Sequence, residues 1–308
     1  MTFGDFEAIC KRAPLPLCTL INPLNKDLTE VVFTGVLPKC YARSVNLANT
    51  LIFEIGTAFI NIANLVILLL IIYFVRQRYT SVARKEMLFF FWCLILHTIS
   101  LLIVDTGVSP PGSTTYGYFV SLELAVSAAA CWSLLYAGVS SLNFWDDGSS
   151  KAMLMLYLSS FVVFCINYLI SICTFKGWGG TLNASATTAL YTFYFVLNPI
   201  VLAVWLLTQC FICTFTIVFN WWALGALGLT TFFFLASQSL IYAFSDVICT
   251  HINHYSDGTV FSSVSKMLCF MMVYKYWDII TFDDDEYYRH TEMVHGVDLK
   301  DEVNNMLN

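Results

Sequence analysis

From Gly177 to Ser245 the chain contains no Asp, Glu, Lys or Arg. A soluble domain carries roughly 25% charged residues, because its surface must be wetted. An uncharged stretch of this length has one stable environment, the interior of a lipid bilayer. Elsewhere the chain is little more polar, with 12% of its residues charged, 58% hydrophobic and 16% aromatic. The net charge of -6 comes mostly from a C-terminal tail in which Asp283, Asp284, Asp285 and Glu286 are adjacent. That charge says little about the membrane-embedded body, and no nucleic-acid partner is expected. Met1 to Arg12 carries Asp5 and Glu7 with no apolar run behind it, so the first span, rather than a cleavable signal, is expected to direct insertion.

Apolar runs of about 20 residues, the length that crosses a bilayer, predict helices near 48–75, 87–105, 117–142, 152–174, 187–218, 222–247 and 259–278. The expected fold is an all-α bundle of about seven transmembrane helices over 48–278. It is preceded by a luminal N-terminal segment, 1–47, and followed by an acidic cytosolic tail, 279–308. Orientation follows from Arg76, Arg78, Arg84 and Lys85, which fall between the first two spans and are expected to stay cytosolic. Seven crossings then put the N-terminus in the lumen and the C-terminus in the cytosol. Asn198-Pro199 inside the long fifth span predicts a tilt or kink.

Four cysteines fall on the predicted luminal side: Cys10, Cys18 and Cys40 before the first span and Cys249 before the last. An even set on an oxidising face suits two disulfides, and three pairings are possible. The reading adopted is Cys10 with Cys18 and Cys40 with Cys249, free thiols being the alternative. A sequon at Asn183 falls on the same side, between the fourth and fifth spans, as a candidate glycosylation site.

Ionisable residues inside spans are expensive and call for a reason. Glu54, Glu123 and Lys266 each lie six or seven residues from the luminal ends of spans one, three and seven, a depth of roughly 10 Å at 1.5 Å per residue. They are expected to meet in one layer, with Lys266 paired to one of the two acids. That layer is either an ion or proton pathway or a structural pair fixing three helices. Asn61, Asn64, Asn167, Asn198 and Gln238 are expected to hydrogen bond between helices, and His97 to be a satisfied residue of the bundle. No second His or carboxylate stands at ligand spacing beside His97, so no metal is expected. No phosphate-binding Gly-rich loop, nucleophile elbow or zinc-protease pair occurs, so neither an enzyme nor a cofactor is expected.

Short motifs narrow the field. The segments Ala8 to Cys10, Pro14 to Cys18, Gly35 to Ser44, Leu47 to Thr50, Ala58 to Ile62, Val104 to Ser113, Trp145 to Gly148, Leu169 to Lys176, Val273 to Lys275 and Trp277-Asp278 closely resemble the fungal chitin synthase export chaperones. The resemblance covers nearly every loop from residue 6 to 278. It implies a dedicated chaperone of the endoplasmic reticulum membrane that binds a chitin synthase catalytic subunit, prevents its aggregation and permits its export, supporting chitin synthesis and cell-wall biogenesis. A lasting non-catalytic subunit, a seven-helix receptor and a small-solute transporter are the alternatives. Trp221, Trp222, Phe232, Phe233 and Phe234 are the candidate client-facing aromatics, an apolar face to cover a client's spans in lipid; the alternative is that they face membrane lipids or the bundle core. Asp284 and Glu286 are a candidate export signal for vesicle-coat machinery.

Overall fold

The computed structural model describes residues 4, 6–21, 35–40, 42–47, 50–52, 54–78, 83–142, 148–178, 180, 182–216 and 221–281. Its elements in chain order begin with a short helix α1 (Glu7–Cys10), a 3₁₀ turn (Pro16–Leu20) and two strands, β1 (Val45–Leu47) and β2 (Thr50–Ile52). The long helices follow: α2 (Ile55–Gln77), α3 (Arg84–Asp105), α4 (Tyr116–Ser140), α5 (Ser150–Lys176), α6 (Thr188–Phe215) and α7 (Trp221–Tyr242). A short α8 (Ser245–His251) and a last helix, α9, over residues 258–281 complete the chain.

Among the described residues, six helices, α2 to α7, are long and apolar enough to cross a membrane. The segment expected as a seventh span, 259–278, lies within α9. The first span starts later than the apolar run suggested. Val45–Leu47 and Thr50–Ile52 pair as an antiparallel hairpin, with Asn46 opposite Leu51, and the helix begins only at Ile55. Val45, Thr50 and Ile52 are β-branched, and such residues fit a pleated strand better than a helix.

The helices are built to survive in lipid, where every backbone polar group needs an internal partner. Hydroxyls inside the spans donate back to the carbonyl four residues earlier, as Thr98 does to Leu94 at 2.8 Å and Thr174 to Ile170 at 2.7 Å. Helix α5 begins with a capping bond from the Ala152 N–H to Ser149 Oγ at 3.2 Å and ends at Gly177, whose φ of +68° closes the last turn. In α6 a π-helical turn over Thr192–Leu197 runs directly into Asn198-Pro199. A wide turn of this kind accommodates a proline that cannot donate to the ladder.

Helix α4 is the hub and packs against α3, α5 and α6. Its buried residues Ala125, Ala128, Ala129, Ala130, Ser133 and Ala137 are small, which lets neighbouring backbones approach closely. At Gly138 an added Cβ would sit 2.5 Å from Gln209 Nε2 and 2.7 Å from Trp205 Cδ1. Two apolar cores result. One unites α2, α3, α4, α6, α7 and α9 around Phe91, Leu68 and Leu227. The other joins the N-terminal segment to α3, α4, α6 and α7 around Phe6, Leu17, Val104, Val120 and Leu190.

Candidate functional site

The N-terminal segment forms part of the second core, lying across one end of the bundle. Phe6 is 1% exposed and meets Tyr191 edge-on at 5.4 Å and Phe195 at 5.7 Å. Thr187 donates to the Gly4 carbonyl at 2.8 Å and Tyr116 to the Pro16 carbonyl at 3.2 Å. Two disulfides brace this cap: Cys10 to Cys18 within the segment, and Cys40 to Cys249, which ties it to α8. His254 Nδ1 lies 3.3 Å from Cys40 Sγ. Cys40, Cys249 and His254 are close enough to share an ion, but the disulfide occupies both thiol sulfurs, and metal binding requires thiolates.

Beneath the cap lies a polar cavity of about 80 Å³ lined by Glu54, Asp105, Glu123 and Lys266, with Pro14 to Leu17 as its lid. Glu54 precedes α2, so it stands at the helix end rather than a turn and a half inside it, as the expected start at 48 had implied. It accepts hydrogen bonds from Thr57 and Thr259, both at 3.0 Å. Thr259 also donates through its N–H to Asp257 Oδ1 at 3.1 Å, and its hydroxyl reaches the same oxygen. Asp105, read from sequence only as part of a loop motif, is buried at the end of α3 and accepts from Asn61 Nδ2 at 3.0 Å.

Lys266 makes no direct ion pair among the described residues. The charges of Glu123, Asp105 and Glu54 act on it instead. His97 faces Glu123: its Nδ1 is 3.9 Å from Glu123 Oε1, within ion-pair distance but too far for a hydrogen bond. Asn61 and Asn64 do bond between helices, the latter to Thr98 at 3.2 Å. Asn167 bonds within its own helix, to the Val163 carbonyl at 2.9 Å.

A buried carboxylate at the opposite end had no sequence signal, because Glu86 sits beside Arg84 and Lys85 in what reads as a basic loop. It is 0% exposed and accepts from the Gly148 N–H at 3.0 Å, while Lys85 Nζ donates to the Gly148 carbonyl at 2.6 Å. Together they hold Gly148, just before α5, against the start of α3.

The aromatic set on α7 divides. Trp221, Trp222 and Phe232 point outward, at 74%, 81% and 60% exposed. Phe233 and Phe234 are half-buried. Asn183 is exposed in the connection between α5 and α6 and donates to the Gly180 carbonyl at 3.1 Å. Asp284 and Glu286 lie outside the described residues.

These features define a helical membrane protein with a disulfide-braced cap at one end and an uncharged, aromatic flank. Comparison with known proteins gives it a family. The chain belongs to the chitin synthase export chaperones, whose family model matches residues 2–289. Similar proteins carrying that name include one from Candida albicans, 46% identical over 287 residues, which cover 93% of this chain and 92% of the relative. The protein of that name from Saccharomyces cerevisiae is 43% identical, covering 93% and 95%. That from Aspergillus oryzae is 39% identical, covering 93% and 85%. No solved structure matches the chain.

Proposed function

We propose that this protein is a dedicated, non-catalytic chaperone of the endoplasmic reticulum membrane. It binds the catalytic subunit of a chitin synthase, prevents its aggregation and promotes its export, and so supports chitin synthesis and the building of the cell wall. The observation that carries this reading is the family match over nearly the whole chain. It spans cap, bundle and loops alike, so the resemblance does not rest on apolar helices alone.

The mechanism follows from where polar groups are absent. A client's unassembled spans expose surfaces that would aggregate, and in lipid these are covered by close packing rather than by the hydrophobic effect. The flank of α5, α6 and α7 offers such a surface, with Trp221, Trp222 and Phe232 exposed and no charge from Gly177 to Ser245. Helix α9 makes the seventh crossing, which places the cap and Asn183 in the lumen and Arg76, Arg78 and the tail in the cytosol. There Asp284 and Glu286 act as the coat-binding export signal. The grouping of the cap with the ends of α3, α6 and α7, all on one side of the bundle, supports this topology.

The test is complementation. In a fungal host lacking its own export chaperone, this chain should move a fluorescent chitin synthase from the endoplasmic reticulum to the cell surface and co-purify with it in mild detergent. A synthase that stays retained, with no complex recovered, would overturn the assignment.

A further inference from the structure

A second cavity, of about 410 Å³, lies between α3, α4, α6, α7 and α9. Its volume falls within the roughly 300–1,000 Å³ typical of small-molecule sites. Phe90, Leu94, Leu202, Phe270 and Val273 make most of its wall apolar. The polar end is formed by His97, Glu123, Tyr194, Gln238 and Lys266, and four of these also line the smaller cavity under the cap.

The cavity is open sideways. Ala203 in the middle of α6 and Leu235 in α7 both line it, and both are exposed on the outer surface of the bundle. Helix α6 rests on α4 more than on α7, which leaves the mouth between α6 and α7 within the apolar part of both helices. At that depth the neighbouring solvent is lipid, and an unfilled apolar void forfeits dispersion contacts along its lining.

We propose that this cavity binds one membrane amphiphile with an apolar body and a small hydrogen-bond-donating head, a hydroxyl or an ammonium. The head chemistry follows from the balance of groups at the polar end. Glu123 and Lys266 line this polar end, and Glu54 and Asp105 stand behind them in the adjoining cavity under the cap, so three carboxyl groups gather around one amine and an anionic head would be set among acids. The Gln238 carbonyl and the Tyr194 hydroxyl at the same end can accept from an incoming donor as well. A sterol and a long-chain amine share this chemistry.

Photolabelling of the full chain, purified in dodecyl maltoside, separates the two sources. The probes are photoactivatable cholesterol, sphingosine and palmitate. Cholesterol or sphingosine should label peptides of α6 or α7, with competition by the unlabelled lipid, and palmitate should stay at background. Blocking the mouth with Ala203→Trp or, as a second variant, Leu235→Trp should cut labelling at least fivefold without altering the melting midpoint. Glu123→Gln should weaken the sphingosine probe more than cholesterol if the natural head is an amine, and both about equally if it is a hydroxyl. Equal labelling by all three probes, or undiminished labelling of both blocked variants, would overturn the proposal by showing only surrounding lipid. So would an unlabelled wild type whose Ala203→Trp variant loses its co-purifying synthase, because the cavity would then receive a protein segment.

Discussion

The capped end of the bundle and the flank formed by α5, α6 and α7 have opposite chemistry within one chain. Under the cap, Glu54 and Asp105 sit among hydrogen-bonding partners, and the N-terminal segment is held by two disulfides and an aromatic cluster. On the flank α6 and α7 carry no charged residue, the two lysines of α5 stand at its ends, and large aromatic side chains face outward. The burial of the spans follows the same division: 61% of the apolar window of α4 is buried, against 17% in α5 and in α6. Hydropathy is similar in these helices, so apolarity does not distinguish a core helix from a lipid-facing one. The small residues of α4 and the uncharged aromatics of the flank do.

The comparison assigns stability to the cap and client contact to the flank, and mutations on each side can break it. Phe6→Ala should have the largest effect, removing a fully buried ring and costing about 3–5 kcal/mol; a detergent melting curve that hardly moves would contradict the cap's structural role. Cys40→Ser should cost about 2–4 kcal/mol by releasing the bridge to α8, read in the same melt and by loss of the non-reducing gel shift. Asp105→Ala should cost about 1–3 kcal/mol because the buried Asn61 amide loses its acceptor, with Asp105→Asn milder since an oxygen remains. Trp222→Ala and Phe232→Ala should change stability least, within about 0.5 kcal/mol, as exposed positions do. They should nonetheless reduce recovery of the co-purifying synthase severalfold.

Much of the bundle was legible because a bilayer imposes length and apolarity on any helix that crosses it. The predicted span at 87–105 and the helix Arg84–Asp105 differ by three residues at one end only. The hairpin before α2 was missed because a run containing Val45, Thr50 and Ile52 is equally apolar as strand or helix, and only pairing decides. Asp105 was missed because a carboxylate at a helix end reads as a solvated loop; its burial depends on the N-terminal segment folding back over it, a long-range fact with no local signature. Glu86 was hidden in the same way by the basic residues beside it. The layer of Glu54, Glu123 and Lys266 was visible as three intramembrane ionisable groups, but its geometry was not. Lys266 shares a cavity with several acids rather than pairing with one, an arrangement that depends on four elements meeting in space and leaves no local signature.

The most direct test of the division is photo-crosslinking in living cells, with a photoreactive residue in place of Trp222, of Phe232, or of Tyr73. Tyr73 on α2 is 58% exposed and serves as an apolar control away from the flank. Adducts to the chitin synthase catalytic subunit are predicted from positions 222 and 232 and not from 73. Crosslinks from 73 with none from 222 or 232 would contradict the account and place the client on the other face of the bundle.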